Sequence, residues 1–173
     1  VLAAAYSSSY TVLASAFDAD DVADIREEAV DQNLYPDQCS LLLGNDYFTS
    51  LLKDTDLSHA MNYGSAEVIQ GGRIPSLFGI KGIYESTVIP ANGENLTGMM
   101  VHPTAMAVAM RYLQPNNTQE YISARRVEDG DTGITMGYRE FYTPSTGVQT
   151  AVLECVYGMA AGIAGNLIRI TSA

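Results

Sequence analysis

The sequence predicts an α+β fold with a mixed or antiparallel sheet flanked by helices. Three observations carry that prediction. The first third of the chain shows helical spacing and helix-capping residues. From Tyr63 the texture changes to glycines, turn residues and short apolar runs. One later stretch, 104–113, is nearly all apolar through Ala105–Met110, as a helix buried or packed on both sides would be. Helix first and sheet afterwards is an α+β order. At 173 residues and 47% hydrophobic, the chain suits one domain, or one with a subdomain. A chain of this length buries roughly 70% of the surface its unfolded form exposes, and it is too apolar to be disordered throughout.

The opening segment 1–16 is apolar, rich in Ala and Ser, and ambiguous in type. Asp18 caps a helix expected over 18–33, with Asp20 and Asp21 in the first turn, where carboxylates complement the helix dipole. Val22, Ile25, Ala29 and Val30 recur at helical spacing, and Tyr35-Pro36 marks the end. Residues 39–43 read as a buried strand. Asn45 is expected to cap a short helix reaching Lys53, with another short helix over 55–62. Strands are expected at 66–70 and 80–89, then a loop at 90–95 and a strand at 98–102. Pro103 fits the first position of the 104–113 helix, where its missing N–H is no loss. After a loop at 115–118, strands are expected at 121–127, 134–142 and 148–157, the last with Ala151, Leu153, Cys155 and Tyr157 alternating on one face. A small-residue flexible stretch (158–165) precedes a closing strand over 166–170.

Charge narrows the function. Nine basic against 20 acidic residues leave a net −11. That argues against a nucleic-acid-binding module, which needs clustered Lys and Arg, and against docking on anionic membranes. Residues 1–60 hold 11 acids and two bases, whereas 61–173 hold nine acids and seven bases. Seven of the nine bases are Arg, the cation suited to interface ion pairs. Tyr (11) outnumbers Phe (4) and Trp is absent; Tyr suits half-buried and interface positions. Cys39 and Cys155 are too few for a disulfide scaffold and read as small buried thiols. No apolar run reaches the ~20 residues of a membrane span, and the first residues lack the basic region of a signal peptide.

A search for chemistry returns weak signals. The nucleophile elbow, phosphate-binding loop, zinc-protease helix and Cys-x-x-Cys patterns are absent. His59 and His102 read as satisfied polar residues at element ends rather than catalytic groups. Asp129, Asp131 and Glu140 faintly echo a calcium loop, but the turn-glycine position holds Ile134, so a tight turn is the simpler reading. Gly71-Gly72 precedes no helix start, and Asn95 and Asn116 head short glycosylation-like triplets. Eight acids between Asp18 and Asp37 read as a solvated helix face. Arg125 and Arg126, with Arg111 and Arg139, read first as local salt bridges. Contact with the acidic helix of another copy is the sharper alternative. Sparse charge, abundant Tyr and segregated acid and Arg fit a protein that works by touching itself.

The order of these elements resembles the major capsid proteins of tailed bacteriophages with the Hong Kong-97-type fold. The resemblance runs from about Ala16 to Ile170. It is carried by Asp20-Asp21 and Ile25-Arg26 in the acidic helix, by the strand-to-helix run from Cys39 to Leu52, and by the run from Gly72 to Ser86 leading to Pro90. The Met99–Ala105 junction, Tyr138-Arg139, Thr146-Gly147, Tyr157-Gly158 and the closing run from Leu167 to Ile170 complete it. The resemblance implies a structural subunit of an icosahedral phage or prophage shell, forming pentamers and hexamers that enclose double-stranded DNA without binding it specifically. Scaffolding and portal proteins would be further partners, with no membrane. The expected location is the virion, and the host cytoplasm during assembly.

Residues 17–160 would form the axial domain at the capsomer centre. Residues 1–16 would be a remnant of the peripheral and spine region, and 161–173 a closing strand returning to the peripheral domain. Complete relatives have an arm, an extended loop and a spine helix that this stretch would lack. No catalytic residue, cofactor or metal is expected. Some relatives cross-link Lys to Asn, but nothing local marks Lys53 or Lys81 as such a site. The expected subunit contact sets Asp20, Asp21, Asp24, Glu27 and Glu28 against Arg111, Arg125, Arg126 and Arg139. The alternatives are the shell of a related non-viral compartment and, further off, a small hydrolase using His102 or His59.

Overall fold

The structure is a computed structural model that describes residues 5–55, 57, 74, 76–90, 93–114 and 121–173. The chain divides into two compact units: Val1–Met106 with Ala161–Ala173, and Ala107–Ala160. In chain order the strands are β1 (Ser9–Thr11), β2 (Ser40–Gly44), β3 (Gly82–Ser86), β4 (Leu96–Val101), β5 (Met106–Arg111), β6 (Ser123–Glu128), β7 (Thr135–Thr143), β8 (Val148–Glu154), β9 (Val156–Ala161) and β10 (Leu167–Thr171). The α-helices whose bounds fall within the described residues are α1 (Ala19–Asp31) and α2 (Asn45–Lys53).

In the first unit, α1 starts where the sequence places it. The Asp18 carboxylate accepts from the backbone N–H groups of Asp20 and Asp21 at 3.0 and 3.2 Å, and the Asp21 carboxylate accepts from Asp18 N–H at 3.0 Å. This reciprocal capping box satisfies donors that the first helical turn leaves unpaired. Val22, Ile25 and Ala29 form its buried stripe. Asn33 ends it with a left-handed φ of 61°. Around that residue Leu34 N–H reaches the Ala29 carbonyl at 2.9 Å, and Asn33 N–H the Val30 carbonyl at 2.8 Å, the closure a left-handed residue permits.

Five strands form a mixed sheet in the order β1-β10-β4-β2-β3. The outer pairs β1–β10 and β2–β3 are parallel, and β4 runs antiparallel to both β10 and β2. Register sets Ile83, Leu41, Met100 and Ile168 side by side across β3, β2, β4 and β10. All four are buried, with Phe17, Val22 and Ile25 from around α1 and Tyr47, Phe48 and Leu51 of α2 in the same cluster. Gly98 sits in the next row because a Cβ there would lie 2.9 Å from the Leu42 carbonyl oxygen. On the opposite face Tyr6, Ala105 and Leu167 make a smaller cluster. Arg169 is buried there, pairs with Glu94 and donates from Nε to the Tyr6 carbonyl at 2.9 Å. A buried guanidinium needs such partners.

The second unit holds an antiparallel sheet in the order β6-β7-β8 and the paired strands β5 and β9. Its hairpins close on left-handed glycines, Gly133 (φ 70°) and Gly147 (φ 68°), as Gly permits without strain. Gly133 N–H donates to the Asp129 carbonyl at 2.8 Å, and Gly147 N–H to the Thr143 carbonyl at 2.9 Å.

Several expectations need correction. The 104–113 stretch is not a buried helix: its core is strand β5, largely exposed. Pro103 instead occupies a turn closed by Ala105 N–H on the His102 carbonyl at 2.9 Å, a position whose φ proline also suits. The expected strand 148–157 is two strands, broken at Cys155, and 156–161 is β9 rather than a flexible stretch. Ala151, Leu153, Cys155 and Tyr157 are all exposed, so only Cys39 is a buried thiol. Burial, and then the Asp37 carboxylate, push the Cys39 thiol up. Asn45 is the first helical residue of α2, and Gly44 holds the cap position. Most of the expected 55–62 helix, the 66–70 strand, Gly71-Gly72, the 115–118 loop and His59 lie outside the described residues.

Candidate subunit interface

The five acids expected at an interface all lie on α1, but in two roles. Asp20, Asp24 and Glu27, together with Asp31, are spaced four, three and four residues apart and are all exposed. That spacing places them in one stripe, away from the buried Val22, Ile25 and Ala29. Like charges at such spacings repel mildly. Asp24 accepts from the Tyr10 hydroxyl at 3.1 Å; none of the four has a cation partner among the described residues. Asp21 and Glu28 are occupied locally. Asp21 completes the capping box and accepts from the Tyr10 hydroxyl at 2.6 Å, and Glu28 accepts from the Gln32 amide at 2.9 Å. Burial, then the hydrogen bond and charge of Asp21, raise the Tyr10 phenol above its ordinary range.

The four arginines lie in the second unit and also divide. Arg126 pairs with Glu128 two residues along its own strand at 2.6 Å. Arg139 pairs with Glu154 across the sheet. Arg125 has no carboxylate partner among the described residues; its guanidinium lies over the Tyr138 ring at 5.1 Å. Arg111 is exposed on β5 and likewise has no carboxylate partner there. The structure therefore leaves Asp20, Asp24 and Glu27, Arg111 and Arg125 available for another molecule, and ties up Asp21, Glu28, Arg126 and Arg139.

The larger surface signal was missed in the sequence. No residue of the buried apolar core falls within 107–160 among the described residues. Val108, Ile122, Tyr142, Leu153, Tyr157 and Met159 are each more than half exposed. Register explains part of this. Arg125, Tyr138 and Leu153 form one row across β6, β7 and β8, and Val127, Met136 and Tyr142 share their face by the two-residue period of a strand. That row is uncovered at Arg125 and Leu153.

The histidine and acidic motifs have local work. His102 Nδ1 accepts from Thr104, hydroxyl at 2.7 Å and N–H at 3.3 Å, while Nε2 lies 3.1 Å from Gln38 Oε1. Among the described residues no carboxylate orients the ring. Asp129 builds its turn, accepting from the Thr132 hydroxyl and the Asp131 N–H, and these bonds hold its carboxyl below the ordinary range. Glu140 accepts from Tyr138 and Gln149. Among the described residues no group of three or more His, Cys, Asp or Glu is placed to hold a metal. No described helix is long and apolar enough to cross a membrane. A cleft of about 400 Å³ opens where β2 and β3 end and α2 begins, with Asp46 the charged group on its wall.

The chain carries the α+β fold of a phage capsid subunit. Two solved structures carry the likeness. The capsid structure of the cyanophage P-SCSP1u superposes with a TM-score of 0.60 at 14% identity, over 96% of this chain and 53% of that one. A chain of Mycobacterium phage Che8 superposes with a TM-score of 0.59 at 19% identity, over 94% of this chain and 52% of that one. This chain thus spans about half the length of each. At such identities the likeness is one of fold. No protein family and no curated protein matches the sequence.

Proposed function

We propose that this chain is a structural, non-enzymatic subunit of a phage or prophage capsid, located in the virion. Copies associate into pentamers and hexamers of a shell that encloses double-stranded DNA. The fold likeness supports the class. The observation that carries self-association is the second unit, whose strands hold large apolar side chains in water and contribute none to the buried core. Exposed apolar surface on this scale marks a contact site, and repeated weak contacts in a closed assembly add up to a stable shell. The net charge of −11 suits a wall that holds DNA without adhering to it.

In this reading 17–160 serve as the capsomer-centre domain, with 1–16 and 161–173 belonging to the peripheral part. Asp20, Asp24 and Glu27 of α1 face Arg111 and Arg125 of the second unit across subunits. Scaffolding and portal proteins are the further partners, and assembly takes place in the host cytoplasm. The test is sedimentation velocity on the protein expressed from its full reading frame. A fast, uniform boundary far beyond a few copies is expected. A slow boundary that persists when the neighbouring reading frames are co-expressed would overturn the proposal.

A further inference from the structure

Two surfaces of the chain complement each other, and we propose that they meet between successive copies. The β6–β8 face bearing Arg125, Val127, Tyr142 and Leu153 receives the Phe78 turn and adjoining acids of the next copy's α1. This rests on the shell-subunit reading and names the contact that would build its rings.

The receiving face is made mainly of apolar and aromatic side chains with one cation, Arg125, and one acid, Glu140, which already accepts from Tyr138 and Gln149. Arg125, Tyr138 and Leu153 stand in register, Leu153 is 64% exposed, and Arg125 has an aromatic ring beneath it but no carboxylate. A cation held over a ring at the edge of an apolar face suits an acidic partner that also brings an apolar knob.

The first unit offers that combination. Phe78 has φ 49° and is followed by Gly79 at φ 78°. A bulky residue in the left-handed region is a strained exception. Here the turn is held by Ile80 N–H on the Leu77 carbonyl at 2.9 Å and by Arg26 Nε on the Phe78 carbonyl at 2.8 Å. Ile80 is fully buried beside it, yet the Phe78 ring stays half in water. The fold therefore fixes an aromatic ring in an exposed place, which is pre-organisation for a partner. On α1, Val30 lies one turn from Arg26 and is exposed, with Glu27 and Asp31 on its acidic side. Glu27 and Asp31 have no cation partner among the described residues, and Arg125 has no anion.

Used once between each pair of copies, rather than twice as in a two-fold dimer, the contact is head-to-tail. Such contacts propagate from copy to copy and close into rings when the rotation allows.

The test uses the full protein and two variants. One removes the receiving face (Arg125→Glu with Leu153→Asp). The other removes the knob and its charge (Phe78→Asn with Glu27→Lys); Asn tolerates the left-handed backbone, so the turn survives. Each variant alone is expected to need about tenfold or more protein to assemble, with a parental circular-dichroism spectrum. Mixed one to one, each pair has one intact contact, so sedimentation should show two-copy species and no rings. The single-chain swap Arg125→Glu with Glu27→Lys should assemble better than Arg125→Glu alone. If the parent assembles and both variants assemble equally well, this inference fails and the shell reading stands. If the parent never assembles, the shell reading itself fails. A mixture that stays monomeric, or that forms full rings, also overturns the head-to-tail pairing.

Discussion

Two rows of side chains cross two sheets of this molecule, and they meet opposite fates. Ile83, Leu41, Met100 and Ile168 cross the first unit's sheet and are buried with residues of α1 and α2. Arg125, Tyr138 and Leu153 cross the second unit's sheet, and its ends stand in water. Both sheets are hydrogen-bonded ladders, the first of non-consecutive strands and the second of hairpins. Strand pairing needs only alternation and competent turns, whereas burial needs a second layer. The first unit supplies that layer from its own helices. In the second unit the segment after β5 reaches the opposite face, where Tyr112 lies against Gly137, but the described residues supply no layer over the Arg125–Leu153 face, and another copy of the chain is the layer we propose.

The sharpest way to break this comparison is to hollow out the first row. Leu41 is fully buried at its centre. Leu41→Ala should lower the unfolding free energy by about 2–5 kcal/mol, the range for a buried leucine leaving a cavity, as read from a denaturant titration. A loss well below 1 kcal/mol would mean that the two rows differ less than their burial indicates. A smaller effect is expected where α1 begins. Asp18→Ala removes the acceptor for two backbone N–H groups, and should cost about 1 kcal/mol with no change in assembly if the acidic stripe keeps its shape.

Much of the first unit was legible because its signals are local. Asp18 with Asp21, the Val22–Ile25–Ala29 spacing and the 39–53 strand-to-helix run each lie within a few residues of their own structure. The 104–113 stretch failed for the opposite reason. Ala105–Met110 is apolar at every position, and such a short run has neither a helical nor a strand period to read. Its partner β9 lies some fifty residues on in sequence, and Pro103 suits a turn as well as a helix start. The candidate interface was half legible. Charge segregation pointed to α1 and the arginines, but not to which were already satisfied. Nor did it reveal Phe78 or the exposed apolar strands, since exposure follows from missing neighbours rather than from the residues themselves.

A third, pH-dependent effect belongs to the first unit alone. The Tyr10 phenol donates to Asp21 of α1, and its pKa in the folded chain is raised, first by burial and then by Asp21. A group with a raised folded pKa adds stability that is whole below its unfolded value, about 10 for Tyr, and that is lost as pH rises from there toward the folded value. Stability measured from pH 8 upward should therefore fall more steeply above pH 10 in the parent than in Tyr10→Phe. Parallel curves would show that this bond does not couple β1 to α1.

The smallest effect is the most telling. Leu153 has the same side chain as Leu41 and also sits in a strand, in register with its neighbours. In the dilute, unassembled chain, Leu153→Ser should change the unfolding free energy by no more than about 0.5 kcal/mol, as for an exposed position. The burial of Leu41 in one unit and the exposure of Leu153 in the other then account for the whole contrast between two leucines. The same substitution should raise the protein concentration needed for assembly, because the energy Leu153 withholds from folding is what it would contribute to contact. A loss of 2 kcal/mol or more in the unassembled chain would place Leu153 in a core of its own, and the second unit would then need no partner to complete it.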